Sequence, residues 1–207
     1  MTLQQRADAF AAAFPKIPAA WPRIVHEGGK PVMYATWVLG ADYRTRSTFY
    51  GAYPHGYLPR VSALFPDIVG SFRWNTLHVF AGSLPESPDY VRADLVQPAE
   101  IQSNVYDLPA VYEAAGGVGV TRPRLVLADP PYSAADAVHY GTPMVNRGKA
   151  TRALAQVVDP GGFLVWLDTV WPMHRKAEWR TVGRILLQRS TNHRARIVSI
   201  FERVATC

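Results

Sequence analysis

The period of the apolar positions changes along this chain, and each change marks an element. Over residues 2–14 apolar and alanine positions recur at helical spacing, with Leu3, Phe10 and Phe14 on one face, and Pro15 stops the run. Residues 15–31 carry Pro15, Pro18, Pro22 and Pro31 with Gly28-Gly29, the composition of a loop. Val32–Leu39 then predicts a strand or an extended arm. Residues 48–67 open as an aromatic, Gly/Pro-rich loop and pass into a short amphipathic helix near Pro59–Phe65. From residue 76 the pattern is α/β. Short apolar runs predict strands at Thr76–Phe80, Tyr90–Ala93, Ser103–Tyr106, Arg124–Ala128 and Gly162–Leu167. Arg147–Val158 has helical spacing (Ala150, Leu154, Val157, Val158) and closes at Asp159-Pro160-Gly161-Gly162. Val182–Gln188 and Arg196–Glu202 predict a terminal strand pair, and Ser133–Asn146 a loop long enough to act as a lid.

Composition narrows the picture. A chain of 207 residues with 48% apolar and 18% charged positions is one globular domain with a real core. A net charge of +6 favours a polyanionic partner, and a merely soluble basic protein is the plain alternative. The single cysteine, Cys207, excludes a disulfide framework and Cys-based zinc sites. The six histidines show no metal-ligand spacing. No apolar run approaches membrane-spanning length and no signal-peptide pattern opens the chain, so a soluble cytoplasmic protein is expected.

Candidate chemistry centres on the run Leu125–Ala128, which ends in Asp129-Pro130-Pro131-Tyr132. Two prolines continue neither a ladder nor a helix, so a buried strand delivers a stiff turn to the sheet rim. In open α/β sheets the carboxyl ends of the strands are where ligands bind. The turn suits methylation of an exocyclic amine on a nucleobase. Such an amine is a poor nucleophile because its lone pair is delocalised into the ring. Two acceptors set against its two N–H bonds, the Asp129 carboxylate and the Pro130 carbonyl, draw it towards a reactive geometry. Pro131 fixes the backbone that aims the carbonyl, and Tyr132 offers a flat face for the base. A strand that simply ends at a Pro-Pro turn is the alternative.

Other strand ends add complementary groups. Phe80-Ala81-Gly82-Ser83 is a turn of mostly small residues that lets a ligand approach the backbone. Asp94 is placed to accept from ribose hydroxyls, and Asp107 from an adenine amine. Together they are the parts needed to hold a nucleoside such as that of S-adenosylmethionine.

In this order the motifs resemble those of the class I S-adenosylmethionine-dependent methyltransferases that modify amino groups of nucleobases, over roughly residues 48–203. The resemblance implies a Rossmann-like sheet, mostly parallel with an antiparallel C-terminal strand, helices on both faces and an N-terminal extension. It implies S-adenosylmethionine as cofactor, with Phe80, Ala81, Gly82 and Ser83 at its methionine part, Asp94 at the ribose and Asp107 at the adenine. Tyr50, Tyr53 and Pro54 would cover the cofactor. Asp129, Pro130, Pro131 and Tyr132 would hold the target amine, and the Asp form of this turn is most typical of adenine-N6 enzymes acting on DNA. Residues 1–47 are then an N-terminal helix and arm, and residues 48–207 the catalytic domain.

Two departures from that family matter. Only Leu84–Asp89 separates the first two strands of the α/β region, too short for the usual helix. One sheet face should be less covered there, to be filled by the N-terminal segment or by the second subunit of a homodimer. No block is large enough for a target-recognition domain. Arg175, Lys176, Arg189, His193 and Arg194 are expected to form a positive rim for nucleic-acid phosphates, the alternative being a solvated charged surface. Asp168 and His174 are not expected to act as a base pair, because attack on a sulfonium depends mainly on positioning. Trp171 sits where it could touch substrate. The competing readings are N4-cytosine methylation, methylation of an RNA amino group, an idle nucleic-acid-binding module and a small-molecule methyltransferase.

Overall fold

The computed structural model describes residues 1–40, 53–115, 121–190 and 195–205. Its strands are β1 (Arg23–Glu27), β2 (Lys30–Leu39), β3 (Thr76–Val79), β4 (Val91–Asp94), β5 (Ile101–Gln102), β6 (Leu125–Ala128), β7 (Phe163–Asp168), β8 (Trp179–Arg189) and β9 (Ala195–Arg203). They form one sheet in the order β1-β2-β8-β9-β7-β6-β3-β4-β5. Strands β5, β4, β3, β6 and β7 run parallel, and β9 is antiparallel to both its neighbours, β7 and β8. The order reverses between β3 and β6, which makes that edge a topological switch point. One antiparallel strand inserted beside β7 completes a Rossmann-like sheet, mostly parallel with an antiparallel C-terminal strand, as the resemblance implied.

β6 and β7 are buried along their whole length, the mark of central strands covered on both faces. One face packs against α1 (Leu3–Ala13) and α2 (Tyr57–Leu64), through Phe10, Trp37, Leu64, Phe65, Val165 and Leu187. The other packs against α3 (Leu108–Ala114) and α5 (Arg147–Val157), through Leu77, Val126, Leu154 and Trp166. A short helix, α4 (Ala134–His139), lies between β6 and α5 in the stretch expected to be a loop, capped by Ser133, whose hydroxyl accepts from the Asp136 N–H at 3.1 Å.

α1 begins at a reciprocal Thr2–Gln5 capping box and is pinned under the sheet by Arg6. The Arg6 guanidinium bonds both Asp67 oxygens at 2.7 and 3.1 Å and the Leu64 carbonyl at 3.0 Å. It also lies 4.7 Å from the centroids of both Phe65 and Phe163. The β3–β4 connection contains no helix, as its length required. Chain from before α2 fills the space on that face: Tyr53 stacks on Tyr57 at 5.3 Å, and its hydroxyl lies 3.1 Å from Nδ1 of buried His78. Burial pushes the His78 pKa down to about 3, so the ring is neutral.

Two boundaries differ from expectation for local reasons. Residues 23–27, expected in a loop, form β1, because Gly28 and Gly29 both take positive φ (55° and 78°) and close a two-residue hairpin onto β2. The third strand of the α/β region is Ile101–Gln102, not Ser103–Tyr106. The Asn104 side chain accepts from the Tyr106 N–H at 3.2 Å, and its carbonyl from Asp107 at 3.0 Å. That side-chain turn draws the backbone out of the ladder. Among the described residues no helix is long and apolar enough to cross a membrane.

Candidate active site

The carboxyl ends of β3, β4, β5 and β6 surround a cavity of about 440 Å³. β3 ends in an abrupt turn: Phe80 holds the left-handed conformation at φ 56°, rare for a non-glycine residue, and Gly82 follows at φ 56°. The Gly82 N–H donates to Asp94 Oδ2 at 2.9 Å, while Oδ1 accepts from Val96 and Gln97 N–H at 2.8 Å each. Asp94 therefore ties the turn after β3 to the loop after β4. Phe80, Gly82 and Asp94 all line the cavity, with Ser103, Asn104 and Tyr106 beyond them.

The opposite wall is Asp129, Pro130, Pro131 and Tyr132. The Tyr132 hydroxyl donates to Asp129 Oδ1, and the Arg196 guanidinium lies 4.8 Å from the Tyr132 ring centroid. Burial pushes the Asp129 carboxyl up to about 7; the Tyr132 hydrogen bond and the Arg196 charge oppose the rise, and the charge of Asp168 adds to it. The backbone of the turn is held from below. Arg147, the first residue of α5, donates Nε and Nη2 to Asp168 at 2.6 and 3.0 Å and Nη2 to the Tyr132 carbonyl at 3.2 Å. Asp168 is fully buried and also accepts from Trp166 Nε1 at 3.0 Å and the Thr169 N–H at 2.7 Å. His174 packs on Phe201 with ring centroids 4.6 Å apart. Asp168 is thus engaged by donors other than His174.

Of the residues expected at the site, Phe80, Gly82, Asp94, Asp129, Pro130, Pro131, Tyr132 and Arg189 line the cavity. Others do not. Ala81 is buried, its N–H donating to the Ala93 carbonyl, and Ser83 lies outside the lining. Tyr53 stacks on Tyr57, and the Pro54 carbonyl accepts the Tyr57 N–H. Asp107 sits at the N-cap of α3, because the Asn104 turn ended the strand before it. Arg175 is on the exposed loop after β7, 3.6 Å from Glu178, and Lys176 follows it; neither lines the cavity. Tyr50, His193 and Arg194 lie outside the described residues.

Two cavity or supporting residues were not singled out for the site: Asn104, just beyond the true end of the third strand, and Arg147, which starts α5. Arg196, the second residue of β9, belongs to the basic residues near the C-terminus that were expected beside Tyr132. Asn104 carried a usable signal as a turn-forming residue.

No known family model matches the chain, and no curated protein matches it. Among solved structures it is similar to TrmN from Thermus thermophilus, at TM-score 0.36 and 12% identity over 70% of this chain and 49% of that one. It is also similar to the rRNA methyltransferase aviRa from Streptomyces viridochromogenes, at TM-score 0.40 and 12% identity over 75% of this chain and 87% of that one. The chain spans about half the length of TrmN.

Proposed function

We propose that this chain is an S-adenosylmethionine-dependent methyltransferase acting on the exocyclic amine of a nucleobase, with adenine N6 in DNA the target its Asp-type turn favours. The observation that carries the reading is a single cavity walled on one side by Gly82, Asp94 and Asn104 and on the other by Asp129–Tyr132.

The residues present fit the cofactor. A cavity of about 440 Å³ is in the range of small-molecule sites. The left-handed turn at Gly82 brings backbone close to a ligand, Asp94 offers carboxylate oxygens to ribose hydroxyls, and Ser103 and Asn104 take the place expected of Asp107 beside an adenine. When bound, S-adenosylmethionine supplies a methyl group on a positively charged sulfur. In this reading residues 48–207 form the catalytic unit, and residues 1–47 brace it through α1, β1 and β2.

The chain's own work is positioning. With Oδ1 of Asp129 taken by the Tyr132 hydroxyl, Oδ2 and the Pro130 carbonyl receive the two N–H bonds of the target amine. Arg196 occupies one face of Tyr132, leaving the other for the base to stack on. A carboxyl whose pKa is about 7 accepts hydrogen bonds when ionised and can take up the amine proton at Asp129 after transfer. Arg147 fixes the Tyr132 backbone, and with it the tilt of the ring.

The test is transfer of labelled methyl from S-adenosylmethionine to duplex DNA, single-stranded DNA and total RNA in parallel, with nucleoside analysis. N6-methyladenine in DNA is the expected product. N4-methylcytosine, or product in RNA alone, would redirect the reading to those substrates. Cofactor binding without transfer to any polymer would refute it.

A further inference from the structure

Away from the cavity, one sheet face carries a second concavity. Residues 169–178 connect β7 and β8 without a helix. The face over β1, β2, β8 and β9 is left open, with Leu186 46% exposed and Trp171 49% exposed beside it. A groove of about 560 Å³ lies there. Trp21, Tyr34 and Trp171 line it with Arg23 and Arg184, and no carboxylate is among its described lining residues.

The aromatic groups are braced. The Arg184 guanidinium lies 5.8 Å from the Tyr34 ring centroid and 5.4 Å from that of Trp171, which fixes two rings around one cation. Glu27, just beyond the lining, bonds Arg184 at 2.8 Å through each oxygen, so Arg184 orients the rings while its charge is largely met. Arg23 has no carboxylate partner among the described residues. The groove lies close to the active site without sharing a lining residue with it: Ile197 and Leu186 line the groove, while Arg196 and Arg189, whose side chains leave the sheet on the opposite face near the strand ends, line the cavity. Three residues of strand span about 10 Å, roughly the length of three stacked nucleotides.

We infer that this groove is a binding track for single-stranded nucleic acid flanking the target base, with bases stacked on Trp171 and Tyr34 and backbone phosphate held by Arg23. The inference rests on the proposed methyltransferase function. Flat aromatic faces flanked by arginine are the surface that unpaired bases and a polyanionic backbone require, and a paired base cannot use them. A single-stranded track also fits the chemistry, since an amine reaches Asp129 only when its base is out of the stack.

The test uses the full chain and fluorescence anisotropy of labelled oligo-dT and oligo-rU, which contain no target amine, against a labelled duplex of mixed sequence. Single strands are expected to bind more tightly than duplex, and the two oligomers distinguish DNA from RNA as the source. Trp171→Ala, at an exposed position, is expected to weaken single-strand binding about five- to a hundredfold. Arg23→Gln is expected to lower the salt dependence by about one phosphate contact. Equal binding by wild type and both variants would overturn the groove while leaving the methyltransferase reading standing. Groove-dependent binding without methyl transfer to any polymer would do the reverse. A wild-type dimer, seen by sedimentation, that Trp171→Ala dissociates without changing oligonucleotide affinity would make the face a self-interface and overturn the inference.

Discussion

Replacing Asp129 with Asn tests the electrostatics of the site and its chemistry in one protein. The substitution keeps the size of the side chain and an oxygen to accept from Tyr132, but removes the charge. Burial raises the folded carboxyl from 3.8 to about 7. The folded state therefore holds this proton to higher pH than the unfolded chain does. Stability from this group is fully present below about pH 4 and is lost as pH rises through about 7. At about 1.4 kcal/mol per unit, the interval sets an upper bound of about 4 kcal/mol. Asp129 faces an open cavity that admits water, so about 2 kcal/mol is the better expectation for the stability gained by Asp129→Asn at about pH 8. The gain should vanish near pH 4. Methyl transfer should move the other way, falling about a hundredfold or more with the loss of one acceptor and of the proton's destination. Wild-type activity should rise with pH through about 7, and the variant's should not. The assays are urea unfolding of both proteins at about pH 4, 6 and 8, and single-turnover transfer across the same range. A stability difference independent of pH would refute the raised pKa, and full activity in Asp129→Asn would refute the acceptor role.

Other perturbations separate support from chemistry. Arg147→Met leaves the buried Asp168 without its cation and should cost about 3–5 kcal/mol, read as a lower urea midpoint. His78 titrates in the sense opposite to Asp129: neutral when folded, it contributes stability above about pH 6.5 that is lost as pH falls toward 3, so His78→Phe should flatten the acid limb of a Tm–pH profile. Gly82→Trp should abolish S-adenosylmethionine binding in calorimetry, whereas Asp129→Ala should retain it. Gly162→Ala would bring a Cβ within 2.6 Å of Val158 Cγ1 and 3.0 Å of the Arg124 carbonyl, a clash expected to lower stability by about 1–3 kcal/mol.

The sheet was legible because its central strands are buried on both faces and so appear as short, unbroken apolar runs. Leu125–Ala128 and Phe163–Asp168 could be read within a residue or so of their true limits. What misled was local hydrogen bonding. Ser103–Tyr106 has strand composition, but one Asn104 side-chain bond converts it to a turn, so that Asn104 lines the cavity and Asp107 does not. Pro15–Pro31 has loop composition, yet Gly28-Gly29 is itself a hairpin signal, and β1 was hidden by averaging over its proline-rich neighbourhood. Asp-Pro-Pro-Tyr was readable as a wall of the cavity because its residues are consecutive at a strand end. Arg147, Asp168 and Arg196 act through partners 15 to 64 positions away, a juxtaposition that only the closed sheet creates.

The short connections of this chain account for features that otherwise look unrelated. Without a helix between β3 and β4, the face carrying Thr76 and His78 needs other cover, and Tyr53, stacked on Tyr57 of α2, supplies it at His78. Arg6 of α1 is buried against Asp67, Phe65 and Phe163. Without a helix between β7 and β8, the opposite face is open over β2 and β8, where Trp171 and Leu186 remain exposed. The first gap is filled by apolar residues from the same chain, and the second is lined by arginine and aromatic rings that no segment of the described chain covers. A gap that served only compactness would be expected to carry the first kind of lining. The second kind matches the flat bases and charged backbone of the single strand proposed for that groove.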